Sequence, residues 1–144
     1  MILVCLCGCY SHKPYPWPPD NLSAPGWKVW NGQAVWKPRK NIPELTGDVM
    51  VAVNGKRAIV QFTKTITFAT ARLDGQHWEI DFPAGNRVYA GHYPLPSHFA
   101  WFELPGLVEG VPPRRSWVEK GNLDEWEINS RHGSETLHGY LSAQ

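Results

Sequence analysis

Across residues 57–68 the chain alternates with a period of two. Ala58, Val60, Phe62, Ile66 and Phe68 interleave with Ile59, Gln61, Thr63, Thr65 and Thr67. Successive side chains of an extended strand point to opposite faces, so the pattern predicts a half-buried antiparallel strand. Lys64 falls on the apolar face, where its long stem reaches toward water or the mouth of a cavity. The same period recurs on both sides. Residues 44–53 place Val49, Val51 and Val53 on one face and turn at Asn54-Gly55. Residues 69–73 turn at Asp74-Gly75. His77–Phe82 sets Trp78, Ile80 and Phe82 against His77, Glu79 and Asp81, and Pro83-Ala84-Gly85-Asn86 leads into a strand over 87–92. The alternation fails over 97–104, where Ser97 follows Pro96 and Pro105-Gly106 closes the stretch; this reads as a helix of one or two turns. Beyond Pro112-Pro113, strands are predicted over 116–120, 123–129 and 135–142, with turns at Gly121-Asn122 and over 130–134. Upstream, Trp27-Lys28-Val29-Trp30 and Gln33-Ala34-Val35-Trp36 flank Asn31-Gly32, the strongest short-range hairpin signal. About eight sequential strands, tight turns and no long helix predict a mainly β fold: an antiparallel meander with one short helix, curving into a half-open or closed β-barrel.

The 144 residues divide by pattern into three parts. Residues 1–9 end an apolar segment in Leu6-Cys7-Gly8-Cys9, in the order of a bacterial lipobox whose Cys9 becomes lipidated. The apolar run is short and no Lys or Arg precedes Lys13, so the expected true start lies upstream of Met1. An ordinary apolar strand, or a Cys5/Cys7/Cys9 metal site, are the other readings. The alternating cysteines lack the paired spacing of structural zinc, and their closeness in sequence staples nothing by disulfide. Residues 10–43 read as a Pro/Trp-rich tether carrying the small hairpin; Lys13-Pro14-Tyr15-Pro16-Trp17-Pro18-Pro19 favours extended polyproline geometry. Residues 44–144 form the β domain. Charge follows this division: +4 over 1–43 and −3 over 44–144. A slightly acidic body does not point to nucleic acid, whereas Lys37-Pro38-Arg39-Lys40 suits either an anionic membrane surface or a solvated loop. No run approaches the ~20 apolar residues of a spanning helix.

Candidate chemistry is sparse. His77, Glu79 and Asp81 share a strand face, His92 and His98 flank a Pro-containing loop, and Asp124, Glu125 and Glu127 surround Trp126. The first set reads as an exposed polar face or half a metal site, no Asp or Glu is spaced to fix a tautomer of His92 or His98, and one acidic exposed strand face explains the third more simply than paired-carboxylate catalysis. No enzyme, cofactor or metal is expected. Trp78, Trp101, Trp117 and Trp126 sit in or beside apolar stripes, as core or as lining of an apolar cavity in an incompletely closed sheet. The expected cavity residues are Phe62, Ile66, Trp78, Ile80, Phe82, Trp101 and Trp126.

Taken in order, these elements resemble the LolA/LolB-like family of lipoprotein-localisation proteins, LolB being its outer-membrane receptor. The resemblance rests on the lipobox-like start, the linker, Leu45-Thr46-Gly47-Asp48-Val49, the aromatic strand over 58–68 and Gly85-Asn86-Arg87-Val88-Tyr89. It is completed by Phe99-Ala100-Trp101-Phe102-Glu103-Leu104-Pro105-Gly106 and Glu125-Trp126-Glu127-Ile128. It covers roughly residues 44–142. It implies a non-enzymatic lipoprotein on the periplasmic side of a bacterial outer membrane. Its membrane anchor would be the acyl chains on Cys9, its partners lipid or other lipoproteins, and a half-barrel would accept acyl chains on its concave face. Two departures are plain. The chain is shorter than a full LolB, implying absent strands or lid helices and a shallow cavity. The loop with a protruding apolar residue that the receptor uses to deliver cargo is not identifiable. The residues alone support a second reading, a glycan- or peptide-binding module with Trp27, Trp30 and Trp36 as stacking platforms.

Overall fold

A computed structural model describes residues 14–144; Cys9 and the lipobox lie outside the described residues. Nine antiparallel strands form one sheet: β1 (Lys28–Lys37), β2 (Leu45–Asn54), β3 (Arg57–Lys64), β4 (Ile66–Leu73), β5 (His77–Phe82), β6 (Arg87–His92), β7 (Trp117–Asn122), β8 (Glu125–Ser130) and β9 (Thr136–Ala143). Their spatial order is β6-β5-β4-β3-β2-β1-β9-β8-β7. Two meanders therefore meet where β9 pairs with β1, and β6 and β7 are left as edges. The mainly β meander expected from the alternation is observed, as a sheet that does not close.

The expected hairpin over 27–36 is not formed. Residues 28–37 run as one central strand, bonded to β2 on one side and β9 on the other. Gly32 lies mid-strand opposite Leu141, and Gly139 lies opposite Ala34. A Cβ on either glycine would collide with the backbone of the other strand. Asn31-Gly32 thus marks a close approach between strands, one of the meanings of a strand glycine. The domain accordingly begins at Lys28, ahead of the expected boundary at 44.

Nor are the described residues before β1 a free tether. The Tyr15 hydroxyl donates to Asp74 Oδ2 (2.8 Å), and its ring stacks on His77 at 3.8 Å. Trp17 Nε1 donates to Glu79 Oε2 (3.1 Å), and Arg72 Nη2 donates to Asp20 Oδ2 (2.6 Å). Asn54 Nδ2 donates to the Pro25 carbonyl, and the Arg57 guanidinium lies over the Trp27 ring. Residues 14–26 are a strap across β5, β4 and β2. Arg72 pairs with Ile59 and Ile59 with Ala52, so these two buried apolar residues stand in the same cross-strand row as the arginine that Asp20 engages.

The predicted strand over 57–68 is two strands. Thr65, at φ 61°, makes the hairpin turn between β3 and β4, and the register shifts by a bulge between Phe62 and Thr63. The period of two survives a tight turn, so the pattern alone hid it. The short helix lies later than expected: a 3₁₀ turn at Ala100–Glu103 runs into α1 (Leu104–Glu109). Pro105 sits in the first turn of α1, where its missing N–H costs nothing, so it starts the helix and does not end it. Ser97 makes no cap, and Gly110 terminates α1 in the left-handed conformation. The β7–β8 turn falls at Leu123-Asp124, two residues past the expected Gly121-Asn122.

The concave face carries Val49, Val51 and Val53, then Ala58, Val60 and Phe62, then Ile128, Leu137 and Leu141, all buried. Helix α1 and the 3₁₀ turn lie in this hollow and bury Trp101, Phe102, Leu104 and Leu107 within the same cluster.

A cleft at the rim of the half-barrel

The helical segment decides what becomes of the expected cavity. Trp101 is 1% exposed and packs between Phe62 (4.9 Å between ring centroids) and Trp36 (5.4 Å). Phe62, Ile80, Trp101 and Trp126 are therefore core, not the lining of a concave cavity. Trp78 is half-buried against Phe102 and donates its indole N–H to the His92 carbonyl. Ile66, expected inside, is 56% exposed at the β3–β4 turn, because Thr65 reverses the chain just before it. The large concave pocket is filled. The indole N–H groups of Trp101, Trp117 and Trp126 are buried without an acceptor among the described residues; each costs ~1–3 kcal/mol in desolvation, set against the burial of a large ring.

Three members of the expected set line separate pockets: Trp126 an open groove on β7–β9, Trp78 a pocket beside Pro14 and Tyr15, and Phe82 a cleft walled by aromatic side chains. This cleft of about 360 Å³ opens at the end of the sheet where β1, β5 and β9 meet their loops. Its apolar wall is Trp36, Phe82, Tyr89 and Phe99. Trp36 stacks on Phe82 at 6.0 Å with an interplanar angle of 6°, and Phe99 packs against Phe82 and Tyr89 at 5.8 and 5.3 Å. Phe99 reaches this place from a left-handed backbone (φ 74°) that turns the chain into the 3₁₀ segment. Arg39, Arg87 and His98 line the polar side, and neither arginine lies within ion-pair distance of a carboxylate among the described residues.

Glu135 closes the back of the cleft. Its Oε2 accepts from Trp36 Nε1 (2.8 Å) and its Oε1 from the Ala100 backbone N–H (3.2 Å). It thereby ties β1, the 3₁₀ turn and the β8–β9 loop together. Burial raises its pKa above the ordinary carboxylate range, against these hydrogen bonds, which lower it. The sequence reading missed Tyr89, Phe99 and Glu135, because they converge only when the loop after β6 folds back over the sheet end. Phe99 inside an aromatic-rich segment was the available signal.

The other candidate carboxylates lie outside the cleft. Asp74 accepts from the backbone N–H groups of Gln76 and His77 and from the Tyr15 hydroxyl. Burial raises its pKa, but these hydrogen bonds outweigh it and hold the carboxyl at about 2. Glu79 is engaged by Trp17 of the strap. Among the described residues no group of three or more His, Cys, Asp and Glu side chains is placed to hold a metal ion. Asp124, Glu125 and Glu127 line an open groove with Lys120 and His138. Of the three early tryptophans, Trp36 is buried and Trp30 packs on the core, so they present no shared exposed face. Searched against models of known protein families and against curated proteins, the chain matches none.

Proposed function

We propose that this protein is a non-enzymatic, LolB-like lipoprotein of the bacterial outer membrane, held on its periplasmic side by acyl chains on Cys9, that accepts an acyl chain of lipid or of another lipoprotein in the rim cleft. The observation that carries the reading is the cleft itself: four aromatic side chains facing two guanidinium groups that have no ion-pair partner among the described residues. An apolar wall beside fixed positive charge suits an amphiphile, with its chain on Phe82 and Phe99 and an acidic or polar head at Arg39 and Arg87. About 360 Å³ is near the lower end of ligand pockets, so one acyl chain is accommodated and not a whole lipid. The resemblance also asks for a protruding apolar residue, and Ile66 at the β3–β4 turn offers one. Stable anchoring takes two or more acyl chains, each CH₂ contributing about 0.8 kcal/mol, as on a mature bacterial lipoprotein.

Trp36 makes the binding measurable. Titration with palmitate is expected to shift its fluorescence, and Tyr89→Glu, which sets a charge at the cleft mouth, is expected to abolish the shift without unfolding the sheet. Saturation that is unchanged in Tyr89→Glu, or a response to oligosaccharide and none to palmitate, refutes the reading. For the anchor, wild type should incorporate labelled palmitate and fractionate with membranes, and Cys9→Ala should do neither.

A further inference from the structure

The chain's cations are not spread evenly over the fold. Strand register puts the β1–β2 loop, the β3–β4 turn, the β5–β6 connection, the approach to β7 and the β8–β9 loop at one end of the sheet: Trp36 pairs with both Leu45 and Leu137, Phe82 with Arg87, and Trp117 with Ser130. Six exposed cations stand on these connections: Arg39, Lys40, Lys64, Arg87, Arg115 and Arg131. None is within ion-pair distance of a carboxylate among the described residues. The same connections hold two acids, Glu44 and Glu135, the second half-buried and bonded to Trp36. The net charge of the whole chain is only +1, so the rest of the molecule is correspondingly acidic. Arg131 Nε donates to the Arg115 carbonyl, holding two like charges in one corner with no carboxylate between them. Such a rim is costly in self-repulsion unless an anionic surface meets it.

We infer that this rim docks on the surface of an anionic lipid bilayer. Exposed Ile42 (39%) and Ile66 (56%) stand among the cations. Aliphatic side chains interspersed with Lys and Arg fit a headgroup boundary; of the aromatic side chains at the cleft only Tyr89 is exposed, short of the row of stacking platforms that a single-stranded nucleic-acid track calls for. The inference does not depend on acyl binding in the cleft. Lys40, Lys64 and Arg131 do not line that pocket. A docked rim would turn the cleft mouth, through Arg39 and Arg87, toward the lipid.

The test uses the full chain carrying Cys9→Ala, so that no acyl group contributes. Sedimentation is compared with vesicles of phosphatidylcholine alone and of phosphatidylcholine mixed equally with phosphatidylglycerol. Binding is expected only to the mixed vesicles. Each cation removed should lower partitioning about fivefold, so Lys40→Gln/Lys64→Gln/Arg131→Gln should lower it on the order of a hundredfold. Wild-type binding should also fade as the Debye length shortens from ~10 Å at 0.1 M to ~3 Å at 1 M salt. The triple variant should still respond to palmitate as wild type does, which separates failure of the docking surface from failure of the cleft. Equal binding to neutral vesicles, insensitivity to the triple substitution or to salt, or tighter retention by a single-stranded RNA oligonucleotide than by the anionic vesicles each overturns the inference.

Discussion

Gly32→Ala is the sharpest test of the central strand. A Cβ at this position would lie 2.7 Å from the Tyr140 carbonyl carbon and 3.0 Å from Leu141 Cα, and closer still to the Tyr140 carbonyl oxygen. These are backbone atoms of β9, so no side-chain rotation relieves the clash. The strands must separate by about an ångström, weakening about three ladder bonds at ~1 kcal/mol each. The separation also loosens Leu141, which is 1% exposed. The expected destabilisation is ~3–5 kcal/mol, a large share of the ~5–15 kcal/mol that holds an ordinary domain. Gly55→Ala is the control. Gly55 has φ +61° with nothing within 4 Å of its Cβ position, so only left-handed strain is added, ~1–2 kcal/mol. Urea unfolding followed by far-ultraviolet circular dichroism gives both values. Equal costs for the two substitutions would mean that residues 31–32 turn in solution and that β1 is not a continuous strand.

The strap pair Asp20–Arg72, with side chains 32% and 23% exposed, should show a coupling of about 0.5–1 kcal/mol in a double-mutant cycle with Asp20→Ala and Arg72→Ala, and either single variant should open residues 14–26 to protease; zero coupling would leave the strap without this clasp. Glu135, with its pKa raised in the fold, holds its proton more tightly folded than unfolded. Stability should therefore fall as pH climbs from the ordinary carboxylate value through the raised one, and palmitate affinity should fall with it as ionised Glu135 opposes the head at Arg39, Arg87 and His98. Glu135→Gln should flatten both trends, and a decline that survives the substitution assigns it elsewhere. Asp74, lowered from 3.8 to about 2, contributes stability above pH 3.8 that is lost as pH falls toward 2. Melting curves of Asp74→Asn should lack this acid step, and an unaltered acid limb would count against the Tyr15–Asp74 clasp.

How much of this was legible in the sequence depends on which force set each feature. Strands whose one face is buried announced themselves by alternation: β2, β5, β6 and β9 fall close to their expected ranges. Features set by contacts between distant segments did not. Asn31-Gly32 has the composition of a turn, and only the approach of β9, more than a hundred residues later, makes it mid-strand. The β3–β4 turn was invisible because a left-handed Thr65 carries no Gly, Asn or Pro signal. Polyproline-like residues were read as spacer because nothing local says that Tyr15, Trp17 and Asp20 find Asp74, Glu79 and Arg72. Of the seven expected cavity residues, Phe82 alone lines the cleft, since alternation tells which side chains face inward but not that Trp101 occupies the space between them.

The docked strap also fixes the length of the leash. Its first described residue, Pro14, shares a pocket with Val88 and Ala90 of β6 and with His77 and His92 at the β4–β5 turn end of the sheet. Arg87 lies at the other end of β6, five residues or about 17 Å from His92. Cys9 is five peptide steps from Pro14, at most about 17 Å of chain, whereas a tether free to residue 43 would have spanned roughly 110 Å. With Cys9 acylated, the leash and the length of β6 together would keep the rim arginines within about 35 Å of the bilayer that holds the acyl chains. Its encounter with lipid becomes intramolecular, at an effective concentration in the ~mM range for a short linker. Rim attraction too weak to recruit the molecule from solution would then suffice to hold it oriented, so the strap would turn two modest attachments into one bivalent grip.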